Sequence, residues 1–300
     1  MNRKTLISVV IPAYNRADRI GRALDSVREQ TYENWEVIVV DDASTDDTAE
    51  VVQRHAEVDP RIRLIRHETN RRAQAARNTA IRASKGEWIA FLDSDDWLLP
   101  ESLALRLEAA LRENVSVVHS EYYIITDNAP MQPKGVRPLC GYVYPQLLQC
   151  QGPGFPALLV KKTALERIGM LDETIRRFQE WETSIRLARY FNFAFVSEPT
   201  FVYDCRGDDT MTKARWTAGG PYEQIVRKHA RDILRHVGVA GIATHLFVAG
   251  RCYWLGRQWL QSLRCMSLFG FYGLRAPVWL CQTFLQVLRS GGRGSLRFRP

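Results

Sequence analysis

Over its first 113 residues the chain alternates short, continuously apolar runs with longer segments of helical period. LISVVIP (residues 6–12) is apolar on both faces and ends in proline, as a buried strand does. RADRIGRALDSVREQ (16–30) then places Ile20, Leu24 and Val27 on one helical face. WEVIVVDD (35–42) predicts a second strand, and STDDTAEVVQRHA (44–56) a helix with Ser44 and Thr45 as N-cap candidates. IRLIRH (62–67) reads as a third strand, AQAARNTAIRASKG (73–86) as an alanine-rich helix closed by Gly86, EWIAFLD (87–93) as a fourth strand, and PESLALRLEAALRE (100–113) as a helix opened by Pro100. Strand and helix in strict alternation predict an α/β fold, a mostly parallel central sheet with helices on both faces.

Beyond residue 115 the pattern is less regular. SVVHSEYYIIT (116–126) predicts a strand, NAPMQPKGVRP (128–138) a loop, and GPGFPALLV (152–160) a turn entering a strand. RFQEWETSIRLARYFNF (177–193) predicts a helix with Trp181, Ile185 and Ala188 on one side, and helices dominate from 221 onward. The expected division is an α/β domain over 1–220 and a basic, aromatic-rich helical region over 221–300.

Charge sharpens that division. The net charge is +8, yet residues 1–220 sum to −2 and residues 221–300 to +10. Six cysteines occur with no C-x-x-C pair, which argues against a zinc site; reduced thiols in a cytosol are expected. MNRKTLISVVIP lacks the apolar length and cleavage site of a signal peptide, so a cytoplasmic location is expected.

In an open parallel sheet, ligands bind outside the carboxyl ends of the strands. PAYNR follows the first predicted strand, DDAST the second and DSDDW the fourth. Asp93, Asp95 and Asp96 repel one another unless a cation, an arginine or water lies among them. Asp93 and Asp95, two residues apart, leave the strand on the same side, which suits a hard divalent cation. The other reading is that these acids cap the helix near Pro100 and face water. The preceding buried strand favours a ligand site. Asp42 can accept from a ribose hydroxyl or a base N–H, or else cap the next helix, and the ring of Tyr14 can lie against a base or be simply half-buried. Neither G-x-G-x-x-G nor G-x-x-x-x-G-K-[ST] occurs, which argues against a dinucleotide fold, a P-loop or a nucleotidyltransferase. Any phosphate must then be neutralised by a metal and by arginines such as Arg71, Arg72 and Arg77, at the start of a predicted helix. His55, His67 and His119 show no ligand spacing and read as ordinary.

SVVIPAYNRADRIGRALDSVREQTYENWEVIVVDDASTDDT, AARNTAIRASKGEWIAFLDSDDWLLPE and QEWETSIRLA together resemble family 2 glycosyltransferases of the GT-A fold, over about residues 6–205. The resemblance implies transfer of a sugar, with inversion, from a UDP-sugar (a nucleotide-diphospho-sugar) to a hydroxyl of a glycan or lipid-linked acceptor, using Mg²⁺ or Mn²⁺, in cell-surface polysaccharide biosynthesis. It places Pro12, Ala13 and Tyr14 at the uridine, Asp42 on the base or ribose, Arg72 or Arg77 near base or diphosphate, and Asp93-Ser94-Asp95 as the D-x-D motif with Asp95 the direct metal ligand. The later acidic motif reads Gln179-Glu180-Trp181, so Glu180 takes the general-base position, one methylene longer than the usual aspartate, with Glu182 as fallback. Arg206 and Lys213, in YDCRGDDTMTK, are anion-binding candidates over the diphosphate. The rival is a non-catalytic member that binds nucleotide sugar or a partner.

The 225–289 region mixes Trp, Phe and Leu with regularly spaced Arg. MSLFGFYGLRAPVWLCQTFLQVL (266–288) has the length of a membrane span, but Arg275 and Pro277 sit at its middle. The expectation is helices lying on an anionic membrane surface, or packed against the catalytic domain or a second copy. No motif supports nucleic-acid binding.

Overall fold

The computed structural model describes residues 5–206 and 219–274. These form two compact units. The first comprises residues 5–143, Pro153–Thr174 and 179–206; the second comprises Tyr144–Gly152, Ile175–Phe178 and 219–274.

The first unit is built on β1 (Ile7–Ala13), α1 (Ile20–Arg28), β2 (Trp35–Asp41), α2 (Thr48–Val58), β3 (Ile62–Arg66), α3 (Arg72–Ala83), β4 (Trp88–Phe91), β5 (Trp97–Leu98), α4 (Ser102–Arg112), β6 (Val117–Thr126) and β7 (Ala129–Lys134). The chain next forms α5 (Tyr144–Leu147), which belongs to the second unit, and returns through β8 (Leu159–Lys161), α6 (Lys162–Arg167), α7 (Gln179–Ala188) and β9 (Phe193–Asp204). The sheet order is β3-β2-β1-β4-β8-β6-β9-β5, with β7 paired to β6. β3, β2, β1 and β4 run parallel, β8 is antiparallel to β4 and β6, and β6 and β9 are parallel. β1 and β2 are buried along nearly their whole length, which is why their sequences read as unbroken apolar runs.

The predicted loop at 128–138 instead contains β7, antiparallel to β6. Pro130 and Pro133 hid it, since proline removes a ladder donor; on an edge strand, almost wholly exposed, that loss is tolerated. Ser44 and Thr45 do not cap α2. Ser44 Oγ accepts from Asn15 N at 2.9 Å, and Thr45 N donates to Asn15 Oδ1 at 2.9 Å, so these residues tie the loop after β2 to the loop after β1. Asn15 adopts φ 51, the left-handed conformation its short amide tolerates. Gly86 does not close α3, which ends at Ser84 in an extended conformation. A Cβ on Gly86 would lie 2.6 Å from Ser8 Oγ and 2.8 Å from Leu6 O, so glycine is required by close approach to β1.

Arg106, fully buried on α4, donates to the carbonyls of Pro156 and Leu158 at 2.9 and 3.2 Å and to Ser102 Oγ at 2.7 Å. It fixes the turn before β8 and with it Phe155, part of the site below.

In the second unit, α8 (Gly219–Lys228), α9 (Ala230–His236), α10 (Val239–Leu255) and α11 (Trp259–Gly273) follow in order. Buried Tyr222 and His245 hydrogen-bond at 2.8 Å, and His245 Nε2 meets Leu148 O at 2.7 Å. α10 and α11 form a hairpin that approaches closely at Gly250, where a Cβ would lie 3.0 Å from Met266 Cε. There Ser262 Oγ donates to Gly250 O at 2.9 Å. No helix among the described residues is long and apolar enough to cross a membrane. Lys213, Arg275, Pro277 and Cys281 lie outside the described residues; the other five cysteines form no disulfide with one another.

Candidate active site

The carboxyl ends of β1, β2 and β4 lie side by side, in register Pro12↔Val40 and Ala13↔Asp41. Ala13 is buried, Pro12 half-buried, and Tyr14, one residue past the strand, is 45% exposed, leaving its ring available to a ligand.

Asp42 is buried, and its oxygens accept from Arg71 N at 2.8 Å, from Arg72 N at 2.6 Å and from His67 at 2.7 Å. The anion at the start of α3 is thus a side chain of the protein itself, held by backbone N–H groups as helix N-termini hold anions. Arg72 takes φ 74 to point its N–H there, a conformation costly for a non-glycine residue. Its side chain is exposed. His67, read as ordinary, is a partner of Asp42 and reaches Thr79 Oγ1 at 3.0 Å with its other nitrogen. No sequence spacing signals this contact, because the two residues meet only across adjacent strands.

Arg77 lies in α3, not at its exposed start, and is buried. Its Nη2 donates to Asp93 Oδ1 at 2.6 Å, its Nη1 to Gln74 Oε1 at 3.1 Å and to Gln179 Oε1 at 3.2 Å, and its guanidinium lies 4.3 Å over the Phe155 ring. The acidic turn after β4 and the first residue of α7 are therefore bridged by one side chain.

Ser94 is buried. Asp95 is partly exposed; Arg16 Nε approaches it at 3.9 Å, and its main-chain oxygen accepts from Arg22 at 2.9 Å. Burial and then the charge of Asp93 raise its carboxyl above the ordinary range. Asp96 is fully buried, with Oδ1 accepting from Asp204 N at 2.9 Å and Oδ2 without a hydrogen-bond partner among the described residues. Burial, then Asp93 and Asp95, push its carboxyl well up. Such a crowded oxygen set fits a hard divalent cation. No three acidic, histidine or cysteine side chains among the described residues converge on a cation position. A bound Mg²⁺ or Mn²⁺ would then be completed by phosphate oxygens and water, as Mg²⁺ commonly is.

Beside Asp95 lies a cleft of about 410 Å³ lined by Asp18, Arg19, Arg22, Asp204 and Arg206. Asp204 accepts from Arg22 at 2.7 Å and from Arg206 at 2.7 and 2.9 Å. Burial alone would raise its carboxyl, but the bonds from Arg206 and Arg22 hold it well below the usual range. Three guanidiniums face two carboxylates, so the cleft keeps a net positive charge that an anion can use. Arg19 and Arg22 were not singled out from sequence, where they read as the polar face of a helix.

Glu180, half-buried, occupies the first turn of α7, next to Gln179. Glu182 is fully buried and paired with Arg186 at 2.8 to 3.0 Å, and Arg186 also donates to the carbonyls of Ile168 and Met170.

A sheet of this order, with acids and arginines gathered at its strand ends, is that of a GT-A fold. Residues 8–156 match the model of Glycosyl transferase family 2. The chain is 37% identical over 160 residues to WfgD of Escherichia coli, named as UDP-Glc:alpha-D-GlcNAc-diphosphoundecaprenol beta-1,3-glucosyltransferase; this covers 53% of the chain and 62% of that relative's length. It is 28% identical over 232 residues to TuaG of Bacillus subtilis, a glycosyltransferase named for teichuronic acid biosynthesis, covering 76% of the chain and 91% of TuaG. Among solved structures, S. aureus TarS 1-349 in complex with UDP-GlcNAc aligns with TM-score 0.67 at 18% identity, over 88% of this chain and 80% of that one. A Pyrobaculum calidifontis mannosyltransferase in complex with GDP-Man and Mn²⁺ aligns with TM-score 0.64 at 21% identity, over 94% and 80%. The chain belongs to the family 2 glycosyltransferases and has the GT-A fold.

Proposed function

We infer that this glycosyltransferase moves a sugar, with inversion, from a UDP-sugar to a hydroxyl of a lipid-linked glycan acceptor in cell-surface polysaccharide biosynthesis. The observation that carries the reading is Arg77, which joins the acidic turn at Asp93 to Gln179, the neighbour of Glu180. Donor-binding acids and the candidate base are thereby held in one hydrogen-bonded frame. The relatives' names favour a UDP-linked donor and a lipid diphosphate acceptor.

Tyr14 covers the base, and the Asp42 frame shapes the pocket for base and ribose. Asp95 and Asp93 would hold Mg²⁺ or Mn²⁺, which supplies charge neutralisation at the diphosphate. Arg22 and Arg206 add cationic charge on the side of Asp204. Glu180 accepts the proton of the acceptor hydroxyl as its oxygen bonds to the anomeric carbon. The bond from that carbon to the diphosphate oxygen breaks on the opposite face, its electron pair leaving with the nucleoside diphosphate. Attack from the side opposite the leaving group inverts the centre. General-base assistance of this kind contributes ~10²–10⁴-fold. Glu182, fully buried and paired with Arg186, is less suited to that role than half-buried Glu180.

A thermal-shift panel of nucleotide sugars with and without Mn²⁺, followed by turnover of the stabilising donor, tests the reading. Stabilisation by a UDP-sugar and its loss on chelation are expected; no response to any nucleotide sugar overturns it.

A further inference from the structure

The α10–α11 hairpin is inside-out. On α11 the residues turned toward the second unit are small: Ser262, Cys265 and Gly273 are the buried ones. The large apolar side chains point away, with Leu260 81%, Leu263 62%, Phe271 52% and Leu274 76% exposed. Their spacing of three, eight and three residues keeps them on one helical face. The hairpin tip adds Trp254 and Trp259, half-exposed and in edge contact with ring centroids 4.6 Å apart. A water-facing helix places such residues the other way round. The inner face is already used by the close contact at Gly250, where even a Cβ would crowd Met266 and Cys265, so rotating α11 to hide the leucines would displace that packing.

We propose that this tip and stripe form a docking surface for an anionic lipid bilayer, with the tryptophans and leucines entering the headgroup boundary and Arg257 meeting lipid phosphate. Charge selects this occupant. From residue 233 to the C-terminus the chain carries nine arginines and no aspartate or glutamate; four of them lie in the described residues, where Arg264 is paired with Glu223. Arg257, at the turn between the helices, is exposed. Two copies meeting face to face through this surface would bring like charges together, whereas an anionic surface attracts them. Tryptophan is favoured at the headgroup level, where its ring is buried and its N–H stays hydrated. The hairpin lies on the bilayer rather than crossing it, since over the described residues neither helix has the length or apolarity of a span. The assignment extends the proposed function, because a lipid-linked acceptor is presented at such a surface.

The test is sedimentation of the full chain with phosphatidylglycerol/phosphatidylcholine vesicles and with phosphatidylcholine alone. The parent should bind the anionic vesicles, more weakly as salt rises, and the neutral vesicles far less. A Leu260→Glu/Leu263→Glu variant changes two exposed side chains, so its Tm should match the parent while its vesicle affinity falls at least ~tenfold. An absence of parent binding, or equal binding by the variant, overturns the proposal. So does a parent dimer in sedimentation velocity that the variant dissolves, which would assign the face to a second copy. Turnover of a UDP-sugar without vesicles is measured separately: its absence overturns the proposed function and leaves the vesicle result standing.

Discussion

Arg77 Nη2 lies 2.6 Å from Asp93 Oδ1, and both groups are largely enclosed. A guanidinium in this position offsets the charge of the acidic turn before any ligand arrives and orients Asp93. Arg77→Ala should leave a partly buried carboxylate unpaired, and part of Asp93 reaches solvent. A loss of ~1–3 kcal/mol by chemical denaturation follows, below the cost of breaking a fully enclosed pair. Transfer should fall further than that stability loss explains, because Gln179 loses its anchor too. Arg77→Lys should recover stability better than activity, since an ammonium cannot reproduce the fork. Equal transfer by Arg77→Ala and parent would remove the bridge from the mechanism.

Glu180 and Glu182 should separate cleanly. Glu180→Gln keeps the fold and loses ~10²–10⁴-fold in kcat, measured with donor saturating. Glu182→Gln weakens a buried pair and should cost ~2–4 kcal/mol in stability, with per-molecule turnover close to the parent's at low temperature. The reverse pattern would hand the base role to Glu182.

Stability should depend on pH through Asp96. Its folded-state carboxyl is raised, so the folded protein holds a proton that the unfolded chain releases. That contribution is present below the unfolded carboxylate value and is lost as pH rises through the folded one. Asp96→Asn cannot ionise and keeps an oxygen to accept from Asp204 N. The stability of the variant minus that of the parent should therefore grow as pH rises above about 4, the ordinary carboxylate value. A flat difference above that value would show that Asp96 is not raised.

Asp42 is held by two backbone N–H groups and His67. Asp42→Ala strands those donors and should cost ~2–4 kcal/mol, with a higher KM for the nucleotide sugar. His67→Ala removes one partner and should cost less while shifting KM in the same direction. Unchanged KM in both would move the base pocket elsewhere.

In the cleft, Arg22→Ala removes the guanidinium shared by Asp204 and the Asp95 carbonyl. Inhibition by UDP should weaken by ~10-fold or more, since a charge-assisted bond contributes ~1.5–3 kcal/mol. Undiminished inhibition would separate the cleft from the diphosphate.

The strands and helices through α4 were legible in the order of residues because burial on both faces forces unbroken apolar runs, and helices carry the 3.6-residue period. The polar residues after β1 and the acids after β2 and β4 were legible for the same reason, since they stand where those runs stop. β7 was concealed by its prolines, and the short β5 and the long β9 lack a period that local pattern can register. What tertiary structure alone decided is partnership. Whether Asp42 faces a ligand or the start of α3, whether Arg77 is a surface charge or the bridge from Asp93 to Gln179, and whether Glu180 or Glu182 stays reachable depend on groups far apart in the chain. Sequence fixes the type and period of a side chain locally, whereas hydrogen bonding and burial depend on which distant groups the sheet order brings to the same strand ends.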